Sequence, residues 1–139
     1  MEMNEILAVS GQPGLYKFIA RSQRGFIVES LVDGRRLNIS ANSRVSAMSD
    51  ISIFTDEEDR PLVEVFESLR KVSDSQPTIS HKESEAAVEA KFAEAVPDYS
   101  RGKVHLSDMR KVLAWYNIMI AAGVTEFKMP DESEEPEQE

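Results

Sequence analysis

Apolar and polar positions alternate from residue 15 to about residue 53, and apolar residues recur every three or four positions from residue 62 onward. The first pattern suits strands, whose side chains point in turn to two faces. The second suits helices with one buried stripe. The period therefore divides the chain into a β-rich first part and a helical second part.

Ahead of the alternation, "NEILAVSG" reads as a short amphipathic helix, with Asn4 as cap, Glu5 at its positive end and Ser10-Gly11 as its stop. Gly11-Gln12-Pro13-Gly14 follows, and its Pro13-Gly14 pair fits the centre of a type II turn, because Pro fixes φ at the second position and Gly accepts a positive φ at the third. A phosphate-cradling loop would instead follow a strand and open a helix. The next segment, "LYKFIAR", is a strand pattern, so the glycines are expected to make a corner.

"FIVESL" and "RLNIS" continue the strands, across "SQRG" and "VDGR", and Asp33-Gly34 is a hairpin signal. Connections this short allow only antiparallel neighbours. "NSRVSAM" is expected to form one helical or 3₁₀ turn, and "DISIFT" a further strand with Ile51 and Ile53 inward. Phe26, Val28, Leu37 and Ile39 should share that inner face, joined by Tyr16 and Phe18. Four or five such strands make a small curled sheet or an SH3-like barrel.

"PLVEVFESLRKV" predicts a helix opened by Pro61, with Leu62, Val65, Phe66 and Leu69 on the face that covers the sheet. "SDSQPTISHKE" has no period and reads as a linker. Ser84 then caps a helix carrying Val88, Phe92 and Val96 on one face. The last helix, "LSDMRKVLAWYNIMIAAG", is expected to be capped by Ser107 and ended by Gly123. It is apolar nearly all round, with Arg110, Lys111 and Asn117 as its polar strip, so the first unit or a partner chain must cover it. The expected class is α+β: a small antiparallel SH3-like barrel or curled sheet with flanking helices, then a helical hairpin domain. The expected division is a β-rich domain at 1–72, a linker at 73–83, a helical domain at 84–124 and a disordered acidic tail at 125–139.

Composition narrows the function classes. The chain has 139 residues, 41% hydrophobic and 29% charged, an ordinary globular mix. No apolar run approaches the roughly 18 residues of a membrane span, and Glu2 and Glu5 stand where a secretory leader needs Lys or Arg. The absence of cysteine removes disulfides, thiolate metal sites and cysteine nucleophiles. A cytoplasmic protein is expected. The net charge of −9 is concentrated at the end, where residues 126–139 set Lys128 against seven acids.

The stretches "EILAVSGQPGLYKFIARSQRGFIVESLVDGRR", "VSAMSDISIFT" and "DYSRGKVHLSDMRKVLAWYNI" resemble a small family of cytoplasmic proteins of the Bacteroidetes type. That family joins a domain of unknown function to a second uncharacterised domain. The resemblance covers nearly all of the chain outside the linker and the acidic tail. It implies a β-rich N-terminal part and a helical C-terminal part, and it brings no catalytic residues with it.

Candidate chemistry is sparse. His81 falls in the linker and is expected to be solvated. His105 precedes Ser107 and Asp108, but helix capping explains that trio, whereas catalysis needs nucleophile, base and orienting acid to converge. "DEEDR" at 56–60 lacks the alternate spacing and glycine of a calcium loop and reads as a solvated connection before a helix. No catalytic residue, metal site or cofactor is expected.

Two features point to partners. Lys17, Arg21, Arg24, Arg35, Arg36 and Arg44 face only Glu29 and Asp33 within residues 15–49. They either guard the sheet against edge pairing or contact phosphates or another anionic partner, with Tyr16 or Phe18 stacking a base. In the phosphate case the acidic tail would compete for the same patch. Trp115, Tyr116 and Met119 belong either to a core or to an interface, where such residues are enriched. The resulting expectation is a non-enzymatic interaction module, with a protein partner or self-association. The alternative is a nucleic-acid-associated small-barrel protein using the Arg-rich hairpins.

Overall fold

The computed structural model of the protein describes residues 3–10, 14–124 and 127. The Gly11–Pro13 part of the expected corner lies outside them, as does the acidic tail apart from Phe127.

Five strands form one antiparallel sheet: β1 (Ile6–Val9), β2 (Tyr16–Ser22), β3 (Gly25–Ser30), β4 (Arg36–Ser40) and β5 (Val45–Ala47), in the order β4-β3-β2-β1-β5. The expected N-terminal helix is replaced by a single 3₁₀ turn (Met3–Glu5) and β1. Its four residues pair with β2 on one side and β5 on the other, and two ladders outweigh the marginal stability of so short a helix. The expected helical turn at 42–48 likewise gives way to β5 at Val45–Ala47, with a 3₁₀ turn only at Met48–Asp50. The further strand is a two-residue β6 (Ser52–Ile53) paired with β7 (Arg60–Pro61) in a separate small sheet.

The described pairings leave β4 and β5 as the two edges, unjoined. The sheet is nonetheless strongly curled. Ser40 aligns with Gly25 at one end, while Val45 aligns with Val9 at the other. In a flat sheet those points would lie about 30 Å apart, from strand spacing and rise. The chain from Ser40 to Val45 spans at most about 19 Å, at 3.8 Å per residue step. Only a curled sheet lets the connection reach.

Three helices follow: α1 (Leu62–Val72), α2 (Glu85–Ala95) and α3 (Leu106–Ala121). The stripe Leu62, Val65, Phe66, Leu69 is buried as the spacing predicts, with Pro61 as N-cap. Ser84 caps α2, accepting a hydrogen bond from the Ala87 N–H at 3.2 Å. His105, and not Ser107, caps α3: its backbone N–H donates to Asp108 Oδ2 at 3.0 Å. An acid three residues after the cap is the reciprocal half of a capping box, and that acid places the helix start two residues earlier than Ser107 alone implies.

One large core unites the two parts. Met3, Ile6, Leu15 and Met48 from the β-rich part pack with Phe66, Phe92, Leu113, Tyr116 and Met119 from all three helices. Phe127 completes it, tilted against Phe66 and Tyr116 with ring centroids 5.6 and 5.8 Å away. A smaller core of Val9, Tyr16, Val28 and Ile39 fills the curl of the sheet. Ile51 and Ile53, expected there, belong to the large core instead, because the chain has left the sheet at Met48.

Candidate functional site

The site is assembled by the polar strip of α3. Tyr116 and Asn117, with Arg110 two turns earlier, hold the segment 76–83 against the helix. The Tyr116 hydroxyl donates to the Gln76 carbonyl at 2.9 Å, and burial pushes the phenol's pKa up. Asn117 accepts from the Thr78 N–H at 2.7 Å and donates to the Ile79 carbonyl at 3.1 Å. Arg110 Nη1 donates to the carbonyls of His81 and Glu83. The expected linker is therefore a strap. It has no hydrophobic period because its own backbone, and not a stripe of side chains, makes the attachment.

Two left-handed residues, Asp74 and Ser75, turn the chain out of α1 and into this strap. Arg70 holds the turn by donating to Ser75 Oγ at 3.1 Å, while also binding Glu67. The strap in turn places His81, half-buried, beside α3 and opposite β1 and β5.

Between these elements lies a cleft of about 640 Å³. Its apolar wall includes Val9 from β1 with Trp115 and Ile118 from α3. Its polar lining is Arg44, Arg110, Lys111 and His81, with the hydroxyl-bearing Ser10, Ser46 and Ser107. No carboxylate among the described residues lines it. Among the described residues, neither the Arg44 nor the Lys111 side chain has a hydrogen-bond or ion-pair partner. Unpaired cations around a partly apolar cleft favour an anion, since the low-dielectric wall strengthens the attraction.

The six basic residues singled out in the sequence do not converge. Arg21 is next to last in β2 and Arg24 sits in the following turn, at one end of the sheet. Lys17 and Arg36 flank Glu29 across the ladder, and Arg36 Nε binds Glu29 at 3.3 Å. Arg35 lies 3.8 Å from Asp33, whose carboxyl is held below its ordinary pKa first by the Arg35 backbone N–H. Arg44 alone enters the cleft. Sequence reasoning missed Arg110, Lys111 and His81 as site residues, although it marked the first two as the polar strip of an otherwise apolar helix.

Of the expected interface trio, Tyr116 and Met119 are fully buried in the core and Trp115 is half-buried in the cleft wall. Phe18, expected inward, is 38% exposed and meets Phe26 edge-on at 6.2 Å. His105 is exposed at its cap, and Ser107 lines the mouth of the cleft.

Residues 3–48 match the family described as a domain of unknown function (DUF5606), and residues 51–119 match another so described (DUF6852). A solution NMR structure of a structural-genomics target from Bacteroides vulgatus is similar, with 37% sequence identity, 90% of each chain covered and a TM-score of 0.74. No curated protein matches the chain.

Proposed function

The chain belongs to the family that joins these two domains of unknown function, and on that premise we propose that it is a non-enzymatic, cytoplasmic binding module that receives an acidic protein partner in the cleft between the sheet and α3. The observation that carries this reading is the cleft's lining: Arg44, Arg110, Lys111 and His81, with no facing carboxylate among the described residues, beside Trp115. An Arg or Lys in such a setting gains a charge-assisted bond to a partner carboxylate worth about 1.5–3 kcal/mol. Trp115 supplies the large, rigid contact area on which protein interfaces rely. We read the curled sheet as an SH3-like barrel left open between β4 and β5, with α2 and α3 as a helical hairpin beside it. The short connection from Ser40 to Val45 supports that reading.

The experiment uses Trp115, the single tryptophan, as a built-in probe. Titrating the full chain with an oligoglutamate peptide at moderate salt should shift the indole fluorescence saturably. Reversing Arg44 and Lys111 together to Glu should weaken binding by at least about tenfold, one charge-assisted bond's worth. Binding that ignores the double reversal contradicts the proposal.

A further inference from the structure

The cleft does not end at Trp115. A second hollow of about 320 Å³ lies further along α3, lined by Leu31, Val32, His81, Ala114, Asn117, Ile118 and Ala121. The two share His81, Ala114 and Ile118, so they are one groove running beside the helix. From Ser107 to Ala121 it follows α3 for roughly 21 Å, at 1.5 Å rise per residue. Its ends differ in chemistry. The end near the start of α3 carries Arg44, Arg110 and Lys111, while the far end is walled by Leu31, Val32 and Ile118. Val32 there is 67% exposed, a large apolar side chain left open to water at a hairpin tip.

We propose that this groove takes an extended peptide segment that is acidic at one end and apolar at the other. The inference rests on the binding-module reading above and adds the occupant's form and direction. A strand rising about 3.3 Å per residue fills the groove with about six residues. The cations come from two parts of the chain, the turn before β5 and α3, and are joined by three serine hydroxyls, a set that suits several carboxylates better than the single head group of an acyl chain. The groove offers one aromatic platform, Trp115, where a single-stranded nucleic acid would use a succession of them. Alternating apolar side chains of an extended segment can reach Val32 and Ile118 while its acids stay at the cationic end.

Three ligands are compared by Trp115 fluorescence on the full chain: a peptide with an acidic half and a Leu/Val half, the acidic half alone, and dodecanoate, with oligouridine as a nucleic-acid control. The composite peptide should bind about tenfold tighter than its acidic half, from burial of one or two apolar side chains. Val32→Ser, at an exposed position, should remove that gain without adding charge and leave the affinity for the acidic half unchanged. Equal affinity of the two peptides overturns this inference while leaving the acidic-partner reading intact. Failure of both peptides overturns both, and tighter binding of dodecanoate or oligouridine overturns the peptide as occupant.

Discussion

Gly25 shows how little room a single backbone position can have. A Cβ built there would lie 1.8 Å from the Ile39 carbonyl oxygen and 2.9 Å from the Ala41 nitrogen, both backbone atoms that cannot rotate away. Gly25→Ala should therefore cost about 2 kcal/mol or more in urea unfolding, at the upper part of the overpacking range. Gly102→Ala, where a Cβ meets nothing within 4 Å, should change stability by no more than about 1 kcal/mol and in the stabilising direction. Similar losses at both sites would contradict the close approach. Gly14 was legible in advance: its φ of +83° is what the third position of a type II turn requires. Gly25 was not, because its constraint comes from β4, a neighbour fifteen residues away in sequence. The strands' apolar residues were legible from alternation, yet their assignment to two cores was not. Period tells which residues share a face, and it leaves open what that face meets.

At the scale of elements, the strap and the loop clasp separate what sequence shows from what packing decides. Losing Asn117 removes two strap hydrogen bonds, so Asn117→Ala should cost about 1–3 kcal/mol. Amide hydrogen exchange at Thr78 and Val88 should report it, with Thr78 accelerating and Val88, on α2, changing only with global stability. Uniform acceleration would contradict a local strap. The clasp joins residues 54–60 to 96–104: Arg60 binds Asp98 with two hydrogen bonds at 2.8 and 3.0 Å, and Ser100 N–H donates to the Phe54 carbonyl at 2.9 Å. The Arg60 guanidinium holds the Asp98 carboxyl below its ordinary pKa. A depressed carboxylate contributes stability above the unfolded value near 4 and loses it as pH falls through the folded value. Asp98→Asn should therefore flatten the acid limb of the stability profile between roughly pH 5 and pH 2. An unchanged limb would contradict the clasp. Helices α1 and α2 were readable from their apolar spacing, and α3 from a long apolar run between a cap and Gly123. The strap was not, since its attachment uses backbone groups that every sequence possesses.

For the whole molecule, the decisive fact is that the large core draws from both family-matched parts. Met3, Ile6, Leu15 and Met48 lie in one match, and Phe66, Phe92 and Tyr116 in the other. Unfolding followed by Trp115 fluorescence and by far-UV circular dichroism should give one coincident transition. Phe66→Ala should lower it by about 3–5 kcal/mol for both probes together. Separate transitions would show that the parts fold independently. This shared core also fixes α3 against β1 and β5, and so builds the cleft. Its composition could not be read from the chain, because Arg44, His81 and Lys111 come from separate segments that only tertiary packing brings together. The most direct measurement is amide NMR of the full chain during titration with the acid-and-apolar peptide. Shifts should cluster at Ala8–Ser10, Leu31–Val32, Arg44–Ser46, His81 and Ser107–Ala121. Shifts confined to Arg21–Gly25, with the α3 signals unmoved, would contradict the cleft as the binding site.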